Sequence, residues 1–333
     1  MPIYNTGDDI SNTVKCLKEQ TYKNFEVIFV DDCSTDNTMD ILKHLLEESK
    51  LNYKIILNSK NQGVSYSRNN GINHSKGDYI YFLDSDDFIE TSTFQSMIEY
   101  LKNQQTELVF GGFDRINSKG ETFFTYKQAF KYYSGCHNGL EVIKELLLNH
   151  LWISIGAVIF KKAIIDKYNI SFTVGCHNGE DQEFIMKFLF NASRVYCFNQ
   201  VVFHYYQRLN SITNSKSLKR ITVVTAFNNL YWYFKDYKAD EELIYLMKIR
   251  KLPIEVIKNV DKLPGGWIYM ELPNGLKLEQ LKDLVRPFRM NNYGIYELKL
   301  LFKIKLFLFS PKLFCSVMNG KGWSYEAKVC NKK

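Results

Sequence analysis

The sequence predicts an α/β protein: a doubly wound, mostly parallel β-sheet flanked by helices, followed by a mostly helical C-terminal extension. The first observation is that short apolar runs alternate with amphipathic segments, with short links between them, in the first third of the 333-residue chain. The second is that acidic clusters directly follow two of the apolar runs. Such alternation is typical of parallel strands joined by right-handed helical crossovers. In these sheets ligands bind beyond the carboxyl ends of the strands.

Apolar runs rich in β-branched and aromatic residues are predicted as strands, because buried parallel strands have near-continuous apolar sequences. They cover residues 25–30, 53–57, 79–83, 108–113, 152–160 and 195–206. Apolar residues at helical spacing predict helices at residues 36–48, 65–74, 94–103, 140–150 and 180–190. From residue 217 onward the pattern is mostly helical. We therefore expect one domain over residues 1–215 and a helical, basic extension over residues 216–333.

The composition is that of a globular protein, with 45% hydrophobic and 24% charged residues. This excludes wholesale disorder, collagen and coiled coil. No apolar stretch reaches the roughly 20 residues that span a bilayer. The seven cysteines are scattered and form no CxxC pair, which predicts reduced thiols and a cytoplasmic protein.

The positive charge is concentrated near the C-terminus. The chain carries a formal charge of +7, and residues 296–333 contain eight lysines and two glutamates. A nucleic-acid enzyme would spread basic residues along a groove, so we expect no nucleic-acid partner. In residues 296–314 lysines alternate with apolar residues, which predicts contact with an anionic membrane surface at the inner face of the plasma membrane. The alternative is a helix that packs its apolar face on the rest of the protein and leaves its lysines solvated.

Two acidic blocks, residues 31–36 and 84–87, each follow a predicted strand. In an extended segment the spacing of Asp84 and Asp86 places both carboxylates on one side. Carboxylates of this kind bind a hard divalent cation, Mn²⁺ or Mg²⁺, together with a diphosphate. The alternative for each block is helix capping, by Ser34 or by Asp87.

Six short motifs, in this order, resemble family 2 glycosyltransferases of the GT-A fold. The motifs are Pro2-Ile3-Tyr4-Asn5, residues 31–38, Asn61-Gln62-Gly63 with Arg68-Asn69-Asn70-Gly71, Asp84-Ser85-Asp86-Asp87, Gly179-Glu180-Asp181, and residues 204–208 with Ser211-Ile212-Thr213. Together they extend from residue 2 to about residue 215. The resemblance implies a nucleotide-sugar half over about residues 1–112 and an acceptor half over about 113–215.

The resemblance also implies roles on the donor side. Tyr4 would stack on the nucleotide base, and Asp32 would accept a hydrogen bond from the base. Asp31 and Asp32 are not distinguished by their sequence, so both are candidates. Asp84 would contact the ribose, and Asp86 would ligate the metal that bridges the diphosphate.

Further roles follow from the later motifs. Arg68 would reach a phosphate or orient the acids of the DxD motif, unless it forms an ordinary surface ion pair. Arg208 would meet the diphosphate, and His204 would be a second metal ligand or a packed strand histidine. Asp181 would be the general base that deprotonates the acceptor hydroxyl, with Glu180 as the alternative base.

Taken together, the resemblance implies an inverting, metal-dependent transfer of a sugar from a UDP-sugar to a hydroxyl of a glycan or lipid-linked acceptor in cell-surface polysaccharide synthesis. The family has a full apolar strand before its Pro-x-Tyr-Asn turn, whereas here only Met1 precedes Pro2. We expect the natural protein to begin upstream of Met1. The alternative is a catalytically impaired relative that binds nucleotide or glycan.

A repeated segment has no counterpart in the family. The pentapeptide Gly-Cys-His-Asn-Gly occurs at residues 135–139 and again at 175–179. Two Cys-His pairs are compatible with zinc, but adjacent residues of an extended chain point in opposite directions. We therefore favour chance repetition in turn-forming loops.

Overall fold

The computed structural model describes residues 1–47, 49–117, 120–206, 216–264, 266–290 and 295–319. These residues form two compact units. The first contains Met1–Gly175 and residues 184–206, and the second contains residues 176–183 and the described residues from 216 onward. Segment 176–183 falls in the second unit although the pattern assigned it to the first domain. The domain limits 1–215 and 216–333 otherwise stay a prediction.

A three-stranded parallel sheet opens the first unit. Its strands lie in the order β1 (Pro2–Ile3), β2 (Glu26–Asp31) and β3 (Asn52–Leu57). Three helices follow these strands in turn, namely α1 (Ile10–Lys18), α2 (Thr38–Glu47) and α3 (Val64–His74). Helix α1 buries Ile10, Thr13, Val14 and Leu17, a spacing that places all four side chains on one helical face. One polar residue, Thr13, therefore lies within an otherwise apolar stripe.

A seven-stranded sheet contains β4 (Tyr79–Tyr81), β5 (Phe88–Ile89), β6 (Leu108–Ile116), β7 (Thr122–Phe124), β8 (Gly135–His137), β9 (Val158–Lys161) and β10 (Val195–Tyr206). The order along its main path is β4-β9-β6-β10-β5. Strands β6 and β10 pair in parallel, and the other pairs in this sheet are antiparallel. The sheet is therefore mixed, whereas the first sheet is wholly parallel.

The remaining helices cover the first unit and build the second. They are α4 (Thr93–Asn103), α5 (Tyr126–Ala129), α6 (Gly139–Leu147), α7 (Lys162–Lys167), α8 (Glu180–Phe190), α9 (Thr222–Asp236), α10 (Glu241–Leu246), α11 (Leu252–Val260), α12 (Leu278–Val285), α13 (Ile295–Phe309) and α14 (Pro311–Asn319). The predicted α/β class, with a parallel sheet, flanking helices and a helical C-terminal part, is confirmed.

One predicted strand is shorter than expected. Residues 152–160 were predicted as one strand, but β9 begins at Val158 and residues Ile155–Ala157 form a 3₁₀ turn. The backbone of Gly156 lies so close to the ring of Phe203 that a Cβ atom there would overlap it. An apolar run alone does not reveal such a close approach.

A cavity of about 730 Å³ lies in the first unit, lined by residues 22–28 on one side and 75–83 on the other. Met1 also lines it, and the α-amino group of Met1 donates to the carbonyl of Ile28 at 2.9 Å. Burial lowers the pKa of this amino group to about 5. Of the predicted site residues that the structure describes, only Arg68 lines the cavity. No residue of the acidic blocks lines the cavity, although Arg68 connects it to Asp84.

Helix α13 has two different faces. Leu300, Ile304 and Phe307 are buried, and Lys303 is buried in an ion pair whose Nζ lies 2.5 Å from Oδ2 of Asp261. The expectation that all the lysines of this segment face solvent is therefore wrong for Lys303. Leu298, Phe302 and Phe309 are exposed, Phe309 by 84%. Within the part of the chain that the structure describes, no helix has both the length and the apolar character needed to cross a membrane.

Candidate functional site

Hydrogen bonds join the loops that follow β1, β2 and β4. The backbone N–H of Asn5 donates to Oγ of Ser34 at 3.1 Å, and the N–H of Thr35 donates to Oδ1 of Asn5 at 2.8 Å. The hydroxyl oxygens of Thr6 and Ser85 lie 2.7 Å apart. The first Tyr-Asn motif, the first acidic block and the DxD motif therefore meet in one place in the first unit.

Tyr4 lies at the start of this loop cluster. Its ring is 49% exposed, so it is not part of the core. The next residue, Asn5, has a φ of 47°, a left-handed conformation that asparagine tolerates better than most residues. The turn leaves an aromatic face available for stacking on a planar ligand.

The two acids at the end of β2 have different surroundings, which the sequence did not distinguish. Asp32 is buried and accepts hydrogen bonds from the backbone N–H groups of Gln62 and Gly63, at 2.9 and 2.7 Å. Asp31 is also buried, and both of its carboxylate oxygens lie 3.2 Å from the N–H of Ser34. Asp32 therefore fixes the start of α3, while Asp31 closes a tight turn at the strand end.

Asn58 is a site residue that the motifs did not reveal. Its Nδ2 atom donates to Oδ1 of Asp32 at 2.8 Å and to Oγ of Ser67 at 3.0 Å, and its Oδ1 accepts from Asn70 at 2.9 Å. It is buried and directly follows β3. A polar residue at the carboxyl end of a predicted strand was the available signal.

Arg68 is buried in α3 and holds Asp84. Its Nη2 atom donates to both carboxylate oxygens of Asp84, at 2.9 and 3.1 Å. The guanidinium carbon lies 5.2 Å from the ring centre of Phe172, a distance at which the cation is attracted by the ring. The arginine side chain is 2% exposed, which excludes an ordinary surface ion pair. The contact fits the role in which Arg68 orients the DxD motif, rather than the role in which it reaches a phosphate.

Asp86 and Asp87 complete the acidic turn. The N–H of Asp87 donates to the carbonyl of Asp84 at 3.2 Å, and Asp86 between them is half-buried. Burial, and then the charges of Asp86 and Asp84, raise the pKa of Asp87 well above its usual range. Its Oδ1 accepts the N–H of Tyr206 at 2.8 Å. Three carboxyl groups thus lie within the four residues of this turn.

The acidic turn fits a divalent cation that shares its coordination with a ligand. No cluster of three or more His, Cys, Asp or Glu side chains suited to a metal occurs among the described residues. Mg²⁺ is commonly held by one or two carboxylates, substrate phosphates and water rather than by an all-protein cage. The carboxylate of Asp86 would be a hard oxygen ligand of this kind, in a turn that carries three carboxyl groups.

His204 is engaged elsewhere in the same unit. Its ring stacks on Phe88, with centroids 5.1 Å apart, and its Nε2 lies 2.6 Å from Oε1 of Glu90. These contacts belong to the pairing of β10 with β5. The observed surroundings of His204 are therefore those of a packed strand histidine. A role as a metal ligand stays a prediction.

Glu180 and Asp181 occupy the first turn of α8, within the second unit. Glu180 is buried and Asp181 is half-buried. The preceding residue, Gly179, has a φ of 87°, and a Cβ there would lie 2.8 Å from Cγ2 of Val223. Both acids lie at the end of the helix where its backbone N–H groups point outward. A carboxylate held on a helix is suited to the role of a general base.

The repeated pentapeptide forms two unrelated structures. In the first copy Asn138 accepts the N–H of Leu140 at 2.9 Å and begins α6. In the second copy the amide of Asn178 donates to the carbonyl of Arg220 at 2.9 Å. The first copy and Gly175 belong to the first unit, and residues 176–179 belong to the second. The described ranges contain no metal-binding cluster of His, Cys, Asp and Glu side chains. Asn138 thus caps a helix, whereas Asn178 joins two segments 42 residues apart.

Arg208 and the segment Ser211-Ile212-Thr213 lie outside the residues that the structure describes. The contact between Arg208 and a diphosphate therefore stays a prediction.

Comparison with known proteins supports the sequence motifs. The model of the family described as glycosyl transferase family 2 matches residues 1–168. Poly(ribitol-phosphate) beta-N-acetylglucosaminyltransferase TarP of Staphylococcus aureus strain N315 is 30% identical over 224 residues. The match covers 66% of this chain and 64% of TarP, so it spans less than two thirds of that relative.

Two solved structures show the same fold. The crystal structure of S. aureus TarS 1–349 in complex with UDP-GlcNAc has a TM-score of 0.59 at 19% identity, covering 98% of this chain and 91% of that chain. Mannosyltransferase PcManGT from Pyrobaculum calidifontis, in complex with GDP-Man and Mn²⁺, has a TM-score of 0.55 at 15% identity, covering 98% and 86%. The predicted GT-A fold is thereby confirmed.

Proposed function

The chain belongs to glycosyl transferase family 2, and we propose that it moves a sugar from a UDP-sugar to a hydroxyl of a glycan or lipid-linked acceptor in cell-surface polysaccharide synthesis. The observation that carries the proposal is the convergence of the loops that contain Tyr4, Asp31 and the acidic turn 84–87. A base-stacking ring and a diphosphate-directed acidic turn are what a nucleotide-sugar donor requires.

The donor is held by residues of the first unit. Tyr4 stacks on the base, and the acids at the end of β2 accept its ring N–H. Asp31 is the better candidate for that contact, because the oxygens of Asp32 already accept several protein hydrogen bonds. Asp84, oriented by Arg68, contacts the ribose, and Arg208 contacts the diphosphate. UDP-GlcNAc bound to TarS supports the choice of a UDP-sugar.

Asp86 holds a divalent ion, Mn²⁺ or Mg²⁺, with His204 as a candidate further ligand. When bound, the ion offsets the negative charge that grows on the departing nucleoside diphosphate. The Mn²⁺ complex of the fold neighbour PcManGT supports this assignment. The contribution of the chain is to keep the carboxylate of Asp86 in a fixed turn, so that little reorganisation accompanies binding.

Asp181 is the general base of the proposed reaction. It takes the proton of the acceptor hydroxyl while that oxygen forms a bond to the anomeric carbon. The bond between the anomeric carbon and the diphosphate oxygen breaks, and its electron pair leaves with the nucleoside diphosphate. Attack on the face opposite the leaving group inverts the anomeric centre. Glu180 is the alternative base.

We further propose a cytoplasmic enzyme that binds an anionic membrane surface through 296–314. The exposed face of α13 combines Leu298, Phe302 and Phe309 with the exposed lysines Lys299 and Lys305. An apolar strip bordered by lysines is suited to the headgroup region of an anionic bilayer. This position would place the enzyme near a lipid-linked acceptor.

The test is a thermal-shift screen of nucleoside diphosphates and nucleotide sugars with Mn²⁺, Mg²⁺ or chelator, followed by measurement of nucleoside diphosphate release. Stabilisation by UDP compounds with release of UDP supports the proposal. Stabilisation without release from any donor supports the alternative, a catalytically impaired binding protein. Absence of both would reject the nucleotide-sugar site.

A further inference from the structure

The acidic turn 84–87 brings several carboxyl groups close together. It places three carboxylates within four residues, and Asp87 is buried. Like charges at this spacing repel each other, and the guanidinium of Arg68 is directed at the carboxylate of Asp84. Groups that fix the backbone on either side of Asp86 would therefore counteract this repulsion.

One buried hydroxyl holds both carbonyl groups that flank Asp86. Oγ1 of Thr13, on the inner face of α1, lies 3.0 Å from the carbonyl oxygen of Ser85 and 2.8 Å from that of Asp87. Thr13 is 0% exposed. A threonine hydroxyl carries a single proton, so the two carbonyls share it. The peptide plane before Asp86 and the one after Asp87 are thus tied to one point on a helix.

A second hydroxyl supports the same turn from the opposite loop. Oγ1 of Thr6 lies 2.7 Å from Oγ of Ser85, and both residues are buried. The N–H of Asp87 closes the turn on the carbonyl of Asp84 at 3.2 Å. Thr6 also follows Tyr4 and Asn5, so this contact links the turn to the loop that carries the exposed ring.

We propose that Thr13, assisted by Thr6, is a positioning residue for Asp86, which keeps the acidic turn in its cation-binding conformation before the donor arrives. The inference rests on the proposed function. Neither threonine touches the donor or the ion in this account. Their effect is to remove the cost of ordering the turn when the ion and diphosphate bind, which is how supporting residues around metal ligands act.

The alternative is that Thr13 merely satisfies two buried carbonyls and contributes to stability alone. The two roles differ in what a loss of the hydroxyl changes. A stability role lowers the unfolding midpoint and leaves the affinity of the folded protein for ligands unchanged. A positioning role weakens nucleotide binding in the presence of the ion, and it does so in protein that is fully folded.

The experiment measures UDP and GDP dissociation constants by calorimetry, in Mn²⁺ and in chelator, below the unfolding temperature of each variant. Thr13→Val keeps the side-chain shape and removes the hydroxyl, and Thr13→Ser keeps the hydroxyl. Thr106→Val is the matched control, because Thr106 is 2% exposed and its hydroxyl has no hydrogen-bond partner within the described residues.

We expect Thr13→Val to weaken nucleotide binding in Mn²⁺ by about 10- to 100-fold, the range for losing a residue that supports a metal ligand. Binding in chelator should stay unchanged. Thr13→Ser should bind within about threefold of the parent, and Thr106→Val should match the parent in both conditions.

Equal Mn²⁺-dependent binding by parent and folded Thr13→Val would overturn the inference, as would an equal loss in chelator. If Thr13→Val does not fold, Thr6→Val carries the test with the same expected direction, and unchanged Mn²⁺-dependent binding would overturn the inference. If the parent binds neither UDP nor GDP in either condition, the proposed function itself fails and the inference fails with it.

Discussion

The Nη2 atom of Arg68 donates to both carboxylate oxygens of Asp84, from a side chain that is 2% exposed. One acid of the DxD motif is therefore neutralised by the protein itself. Asp86, two residues later, lies in a turn where Asp87 is buried and has a raised pKa. The two acids of the motif are therefore candidates for different roles. Asp84 is oriented by Arg68, and Asp86 is the candidate ligand for a cation.

Replacement of Arg68 tests whether this residue holds Asp84 in place. Arg68→Ala leaves Asp84 without its cation, and removing one partner of such a pair costs about 3–5 kcal/mol when both are buried. Asp84 is about one third exposed, so we expect the free energy of unfolding, measured in urea, to fall by about 3 kcal/mol. Arg68→Lys should recover part of it, since lysine keeps the charge without the planar fork.

The control for Arg68 is Arg194→Ala, which removes an exposed arginine of the same unit. Its free energy of unfolding should stay within about 0.5 kcal/mol of the parent value, as is usual for surface positions. Equal stability of Arg68→Ala and Arg194→Ala would contradict the orienting role.

Asp181→Asn tests the general base. The amide has nearly the same shape but cannot accept the proton, so donor binding should persist while transfer falls by about 100-fold or more. Transfer is measured as nucleoside diphosphate release with acceptor, and donor affinity by calorimetry. Glu180→Gln is the matched variant on the same helical turn. If Glu180→Gln loses transfer and Asp181→Asn does not, the base is Glu180.

Gly179 should be intolerant of a side chain. Gly179 has a φ of 87°, a conformation that alanine rarely adopts. The Cβ atom added in Gly179→Ala would also lie only 2.8 Å from Cγ2 of Val223. Gly266→Ala is a matched control, because Gly266 has a φ of 76° with open space around it. The left-handed conformation costs about 1–2 kcal/mol in either variant. Overpacking should cost Gly179→Ala about 1–3 kcal/mol more, as measured by chemical unfolding.

Similar unfolding free energies for these two glycine variants would show that α9 yields easily around residue 179. The first turn of α8 would then be less firmly supported than the contacts indicate. A selective loss in Gly179→Ala would link the packing at Gly179 to the position of the neighbouring acids.

The exposed face of α13 should bind anionic vesicles. Each lysine near such a surface contributes about 1 kcal/mol. Replacing Lys299 and Lys305 of α13, together with the exposed Lys312 of α14, by glutamine should therefore abolish flotation with phosphatidylserine vesicles. Removing the whole helix is a poor test, because Leu300, Ile304 and the Lys303–Asp261 pair are buried. Neutral vesicles and high salt should also prevent binding of the parent.

The control for flotation replaces three exposed lysines of the first unit, Lys18, Lys43 and Lys54, by glutamine. This variant should float like the parent. Equal loss in both triple variants would indicate a general charge effect, and no loss in either would reject α13 as the membrane-binding face.

The acidic residues of the site were predictable because they follow strands and because DxD spacing is short-range. The different surroundings of these acids were not predictable, because they depend on contacts between distant parts of the chain. Asp32 is held by N–H groups 30 residues away, and Arg68 meets Asp84 across 16 residues. No local pattern distinguishes Asp31 from Asp32. The solvent-facing side of Tyr4 likewise depends on the loops around it.

Two other residues make contacts with distant parts of the chain that the sequence alone does not reveal. Lys303 looks like a solvated lysine in sequence, and its burial is possible because Asp261 lies opposite it, 42 residues earlier. Thr13 is different, since a polar residue in the apolar stripe of α1 was a visible signal. That signal predicts a buried hydrogen bond, but its partners in the acidic turn, more than 70 residues away, required the structure.

The most direct measurement of the central claim is nucleoside diphosphate release from a panel of UDP-sugars, in Mn²⁺ and in chelator, by the parent, Asp86→Ala and Asp40→Ala. Asp40 is an exposed acid on α2 and serves as the matched control. We predict release by the parent and Asp40→Ala in Mn²⁺, and none in chelator or with Asp86→Ala, because an unneutralised diphosphate is a poor leaving group. Full release in chelator, or by Asp86→Ala, would contradict the account.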